Sequence, residues 1–246
     1  MEAVDRYAVV SCHVERPLDD RVWRAFERLL ETRPAGFVVT PLLRPPHAGF
    51  GEDEELWLER ARRAAELAPL GHHTHWGGPS QARPTSSVDA GAAVRDEIEW
   101  LRARGLEPRW FCVGGWYLDE EVAETLAASG YVDCSATTFD QSYLDRDAPR
   151  LRLPGPRRLR LPSGASLLEL PATHSLGMLG RGLLRLDGHV HLHFHDWELV
   201  DRARSVALHA LLRILRLRRT PVSIDAFAEL AAKAPEITWT GATIAT

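Results

Sequence analysis

The stretch YAVVSCHVERPLDDRVWRAFERLLETRPAGFVVT, residues 7–40, decides the architecture. Tyr7 to Val14 is short, apolar and β-branched, which reads as a strand. From Asp20 to Thr32 the apolar residues Val22, Trp23, Phe26, Leu29 and Leu30 recur at helical spacing. Gly36 to Thr40 returns to a β-rich run. Strand, helix and strand in succession indicate a parallel sheet covered by helices.

The alternation continues outward from this unit. After a Pro-rich loop at Pro41 to Gly51, helical patterns cover Glu54 to Leu67, Val88 to Arg104 and Asp119 to Ala128, with Gly105 and Gly130 just past two of their ends. A long helix from Trp197 to Leu217 and a last one from Asp225 to Lys233 follow. Strand patterns fall at Leu70 to His75, Arg109 to Val113, Tyr131 to Thr137, Ser166 to Pro171, His189 to His195 and Pro221 to Ile224. Roughly seven or eight β-then-α units are the number that closes, or nearly closes, a barrel. The structural rival is a doubly wound open sheet, but no G-x-G-x-x-G follows the first strand and no P-loop is present. No shift in composition divides the chain, so one domain over 1–246 is expected. Phe139 to Gly164 is long for a plain connection and is expected to be a barrel insertion.

Composition narrows the classes. With 246 residues and 45% hydrophobic content the chain can fill one barrel-sized core. The net charge is -4, and arginines are interspersed with acids, so no nucleic-acid partner is expected. The basic run Arg213 to Arg219 alternates with leucines and reads as one face of a helix. Cys12, Cys112 and Cys134 are odd in number and far apart, which argues against a disulfide framework and a cysteine zinc site. Met1 to Arg6 is polar and acidic, without a signal-peptide pattern, and no apolar run is long enough to span a bilayer. The expected compartment is the cytoplasm.

Eleven histidines carry the functional argument. In a barrel, reactive groups gather where strands end. His13 and Glu15 close the first strand, with Asp19 and Asp20 shortly after. The segment GHHTHW, Gly71 to Trp76, closes the third. Side chains two apart on a strand point the same way, so His73 and His75 can converge on one ion. Neutral imidazole suits zinc, and Glu15 is the candidate carboxylate for a three-ligand site with an open position. The competing reading is an exposed loop or a hydrogen-bonded polar core. In HVHLHFHD, His189 to Asp196, the histidines share one face, and only His195 should reach the rim. Asp196 either orients His195 or caps the next helix. Of Asp19 and Asp20, one is a helix cap and the other a candidate general base. Trp76, Trp116, Tyr117 and His174 are the candidate substrate-contacting residues; for Trp116 and Tyr117 a place in the core is the equal alternative.

On these residues the chain resembles the polysaccharide deacetylases of carbohydrate esterase family four, over most of its length. The family's T-F-D-D-G-P lies against Cys12 to Pro17, with Glu15 at the metal-binding Asp and Val14 at the catalytic base. Its H-[ST]-x-x-H starts at His73 and Thr74, but the second His falls on Gly77, so His75 substitutes. Its Arg-x-Pro-Tyr lies near Phe111 to Trp116, where Cys112 or Val113 replaces the arginine. Its L-x-x-H-D is matched by Leu192 to Asp196. The resemblance implies a distorted (β/α)7 TIM-like barrel of the α/β class and a divalent metal, with Zn2+ the first choice. It also implies hydrolysis of an N- or O-acetyl group on an acetylated saccharide or sugar-containing small molecule. In that scheme Glu15, His73 and His75 hold the ion, Asp20 or else His13 is the base, and His195 is the acid, helped by Asp196. A non-catalytic saccharide-binding relative and an amidase acting on a non-sugar amide are the alternatives.

Overall fold

Strand β1 (Tyr7–Val14) shows why the chain builds a barrel with a chemical interior. Its even positions, Ala8, Val10, Cys12 and Val14, pack into the core beneath the helices. Val9 faces the other way, into the barrel. Ser11 and His13 share that inner face by the period of two. The computed structural model describes residues 6–140, 149–182, 186 and 188–241.

Helix α1 (Asp20–Thr32) buries the five apolar residues expected of it, and its first amides are capped by Asp19. Strand β2 (Val39–Leu43) starts three residues later than the sequence predicts. Pro34–Gly36 is wound into a 3₁₀ turn, with Arg33 and Ala35 in the left-handed region, and this delays the strand. Pro41 is accepted within β2 because the ladder to the next strand begins only at Leu42. There follow α2 (Glu54–Leu67), β3 (Gly71–Thr74), α3 (Ala90–Ala103), β4 (Trp110–Val113), α4 (Glu120–Ala128) and β5 (Val132–Asp133). Asp53, Asp89 and Asp119 cap α2, α3 and α4 as Asp19 caps α1. Each such cap contributes about 1 kcal/mol.

The expected insertion at 139–164 is partly regular, although residues 141–148 lie outside the described part. Strand β6 (Arg157–Arg160) runs antiparallel to β7 (Ser166–Glu169). The chain then forms β8 (His174–Ser175), α5 (Leu176–Gly182) and β9 (Val190–His195). The helix expected over Trp197 to Leu217 is divided. Asp196–Val200 is a 3₁₀ turn, and Asp201 caps a new start for α6 (Arg202–Arg216). Strand β10 (Thr220–Pro221), α7 (Ile224–Leu230) and β11 (Glu236–Thr238) complete the fold. The strand expected over Pro221 to Ile224 is cut short because Ser223 caps α7.

Closure comes from one continuous segment. Residues 166–175 begin beside β5, where Leu168 pairs with Val132, and end beside β9, where Ser175 pairs with His193. β9 pairs in turn with β1. The ring is therefore β1, β2, β3, β4, β5, the β7–β8 segment and β9, all parallel: a distorted (β/α) barrel. β6 and β11 hang outside it on β7, and β10 pairs with the start of β1. Val9, Leu42, Trp110, Leu170 and, from α7, Ile224 and Phe227 fill the barrel near the strand starts. No helix among the described residues is long and apolar enough to cross a membrane.

Phe227 seals the end of the barrel opposite the strand ends and is fully buried. Phe227→Ala is expected to destabilise the fold by about 3–5 kcal/mol, read as a lower urea midpoint with an unchanged slope.

Candidate active site

The inner faces of β1, β3 and β9 meet at the strand ends. His13 pairs in register with His195, and Ser11 with His193. Glu15, one step beyond β1, continues the face of Ser11 and His13. Its Oε1 lies 3.4 Å from His75 Nε2, 3.6 Å from His195 Nε2 and 3.9 Å from His73 Nε2. These separations are too long for hydrogen bonds. His73 donates Nδ1–H to the Cys112 carbonyl at 2.7 Å, and His75 donates Nδ1–H to the Pro79 carbonyl at 2.8 Å. That choice of tautomer leaves both Nε2 lone pairs aimed at the carboxylate, and both atoms are buried without a hydrogen-bond partner.

Lone pairs and a carboxylate oxygen repel unless a cation lies between them. Burial favours the neutral form of His73 and outweighs the pull of Glu15, so its pKa is lowered. Burial also opposes ionisation of Glu15, and its carboxyl is held well below its usual range only where positive charge or a donor faces it from the side of His73, His75 and His195; with the lone pairs of His73 and His75 turned toward it, a bound cation would supply that charge. An ionised carboxylate with two orphaned Nε2 atoms is a donor set that fits a divalent metal. His13, His73 and Cys112 make a second possible grouping. The two share His73 Nε2, so they cannot both be filled. The Glu15 grouping is favoured because two buried, unpartnered Nε2 atoms face its carboxylate, whereas burial pushes the Cys112 thiol well up.

His195 stands beside this group under different control. Burial lowers its pKa, but Glu198 and then Glu15 raise it further, and the net shift is upward. Glu198 Oε2 lies 3.7 Å from His195 Nδ1 and accepts the His195 amide at 2.9 Å. Glu198 Oε1 is held by Arg204 at 2.5 Å. Burial opposes ionisation of Glu198 too, yet the bonds to His195 and Arg204 bring its pKa down to about 2. The His195 ring stacks on Trp197, with centroids 5.5 Å apart.

Asp196, expected either to orient His195 or to cap the next helix, takes backbone amides at the start of the following 3₁₀ turn. Its Oδ2 accepts the Arg16 amide at 2.7 Å and its Oδ1 the Trp197 amide at 2.8 Å. It ties the segment after Glu15 to the end of β9, and burial raises its pKa to about 6. The partner of His195 is Glu198, whose only sequence signal is its place three residues on, in a capping box with His195.

The other expected residues divide in the same way. His13 stacks on His73 at 4.5 Å and meets His195 edge-on at 5.2 Å. Burial and the neighbouring imidazoles push its pKa well down, so it is neutral. Trp116 lies across the group, 4.9 Å from His193 and 5.7 Å from His13. The preceding kink needs glycine: a Cβ on Gly114 would meet the Thr74 carbonyl at 2.4 Å, and Gly115 has a φ of 62°. Trp76 and Tyr117 are not in the site. They pack on each other beneath the helices, and the Tyr117 hydroxyl donates to Asp119, the α4 cap. His174 bonds Thr173 at 2.7 Å and has no ring contact with the cluster. Asp20 lies on α1, paired with Arg60 of α2, with 69% of its side chain exposed and no contact with the imidazoles. Sequence reading missed Arg44, whose buried guanidinium donates to the Glu15 carbonyl at 3.2 Å and forms a two-pronged pair with Glu52 at 2.6 and 2.9 Å.

No known family profile matches the chain, and no curated protein matches it. Solved structures do. A protein of Mycobacterium smegmatis assigned as a polysaccharide deacetylase superposes with a TM-score of 0.66 at 16% identity, covering 96% of this chain and 94% of its own. One of Bordetella bronchiseptica, assigned as a polysaccharide deacetylase involved in O-antigen biosynthesis, gives 0.52 at 15%, with coverage of 94% and 92%. The 4-alpha-glucanotransferase of Thermococcus litoralis gives 0.59 at 11%; 95% of this chain spans 42% of that one. At these identities the likeness establishes the fold, which is the barrel shared by these proteins.

Glu198 is the largest influence raising His195. Glu198→Gln is expected to move the His195 titration midpoint to lower pH in metal-free protein, read by imidazole NMR. Asp196→Asn should move it less, because Asp196 is the weakest of the acids acting on that ring.

Proposed function

We propose that the rim cluster is the centre of a metal-dependent hydrolase that removes an acetyl group from an N- or O-acetylated sugar or glycosylated metabolite. The observation that carries this reading is the pair of buried, unpartnered Nε2 atoms of His73 and His75 facing an ionised Glu15. These three residues would hold the ion, and Zn2+ suits two imidazoles and a carboxylate. When bound, such an ion polarises a carbonyl and lowers the pKa of water.

The chain's own residues supply the rest. His195, with its raised pKa and its contact to Glu198, donates a proton to the leaving amine or alcohol. Val14 has no group that accepts a proton and Asp20 is paired with Arg60 away from the imidazoles, so neither serves as a base at the cluster. His13 remains: a neutral imidazole beside His73 and His195. Trp116 forms the wall and limits water around the reacting carbonyl. The substrate proposed is intracellular, on the expectation from sequence of a cytoplasmic protein.

One observation favours a non-catalytic saccharide-binding relative instead. The position where the resembled family carries its base faces away from the cluster. Acetate release separates the two, because binding without acetate release would retire the hydrolase reading.

Two substitutions test the roles. His73→Ala should abolish stoichiometric divalent metal, by elemental analysis, while the circular dichroism of the fold is kept. His195→Ala should lower turnover by ~10²–10⁴-fold with metal content retained. Loss of metal in that variant would instead make His195 a ligand.

A further inference from the structure

Helix α6 has two apolar faces. One carries Leu208, Leu212 and Leu215, buried against the barrel. The other carries Ala203, Val206, Ala207, Ala210, Ile214 and, at the cap, Leu217, and all of them are exposed. Their spacing of three and four residues makes a continuous stripe. Val206 is 64% exposed, Ile214 41% and Leu217 84%, so no described residue covers it. Such a patch on a folded surface marks an interaction site.

Charge identifies the occupant. Residues 202–219 contain six arginines and no acidic residue, in a chain whose net charge is -4. On the helical wheel Arg202 and Arg213 flank one side of the stripe and Arg204 and Arg218 the other. Arg204, Arg216 and Arg219 are engaged with Glu198, the Ala35 carbonyl, and the Leu186 and Gly188 carbonyls. Arg202 and Arg213 are exposed and bond no group among the described residues. An apolar stripe bordered by arginines matches the interface of an anionic bilayer, where apolar side chains enter the acyl boundary and the guanidiniums meet headgroup phosphates. A second copy fits less well. An antiparallel helix pair centred on Ala210 would bring arginine against arginine. A nucleic acid would place phosphates against valine, isoleucine and leucine.

We infer that the outer face of α6 is a docking surface for an anionic lipid bilayer. The inference does not rest on the hydrolase reading. The first turn of this helix touches the rim through Arg204 and Glu198, so docking there would set the cluster beside the lipid surface.

The test is co-sedimentation of the full chain with vesicles of phosphatidylglycerol and phosphatidylcholine in equal parts, against vesicles of phosphatidylcholine alone. The wild type should bind the anionic vesicles, and binding should weaken as salt is raised. The double variant R202Q/R213Q should bind roughly 30-fold more weakly, about five-fold for each arginine. L217D should also lose binding. All three positions are exposed, and circular dichroism checks that the fold is kept. No binding of wild type at low salt, or equal binding by the variants, overturns the inference. A wild-type dimer in analytical ultracentrifugation that L217D dissociates, without vesicle binding, assigns the face to a second copy instead.

Discussion

An ionised Glu15 held among imidazoles whose lone pairs face it is the constraint around which the rest of the structure is arranged. A buried carboxylate is tolerated only when a cation or donors compensate it. Here Nδ1–H of both His73 and His75 is already committed to backbone carbonyls. The arrangement is therefore incomplete as a set of hydrogen bonds and complete as a set of metal ligands. Three strands distant in sequence must end at one point for this to occur. A closed ring achieves it, because β1 sits between β9 and β2, and β3 lies one strand further round.

The surrounding layer fixes Glu15 through its backbone more than through its carboxylate. Arg44 donates to the Glu15 carbonyl, Glu52 holds the other side of that guanidinium, and Trp57 donates its indole N–H to the Arg44 carbonyl at 2.7 Å. Asp196 takes the next amide, that of Arg16. The last turn of β1 is thus gripped from β2 on one side and from β9 on the other. A ligand placed by backbone bonds loses little entropy when an ion arrives, and such outer partners strengthen a metal site.

How much of this was legible in sequence depended on range. The short apolar run Tyr7 to Val14 gave the first strand, and period two in Leu70 to His75 and in His189 to His195 put His73 with His75 on one face and His195 at the end of another. The repeated β-then-α rhythm gave the barrel. Carboxylate roles were harder to read. Asp19, Asp53, Asp89, Asp119 and Asp201 are all spent on helix caps, and a cap looks like a catalytic acid until its amide partners are seen. Trp76 and Tyr117 each lie beside a residue that enters the cluster, His75 and Trp116. A one-residue change of direction sends them beneath the helices, and no local pattern encodes that turn. Closure through residues 166–175 rests on pairing at both ends of one segment, which appears only in three dimensions.

The same period of two explains where this chain parts from the family it resembles. On β1 the odd residues face the cluster and the even ones face the helices. Val14 is therefore a core residue by geometry as well as by type, and its methyls pack in the apolar layer beneath the helices. A carboxylate placed there on this backbone would be buried in that layer without a partner, at a cost of several kcal/mol. The inward neighbour of Glu15 on β1 is instead His13, two residues and roughly 6.5 Å back along the strand. Proton chemistry at this rim, if it uses β1 at all, must work from that position and with an imidazole. That choice keeps the site's negative charge on Glu15 alone among the β1 side chains. Glu198 and Asp196 approach from the 3₁₀ turn after β9, where Arg204 holds the one and backbone amides the other.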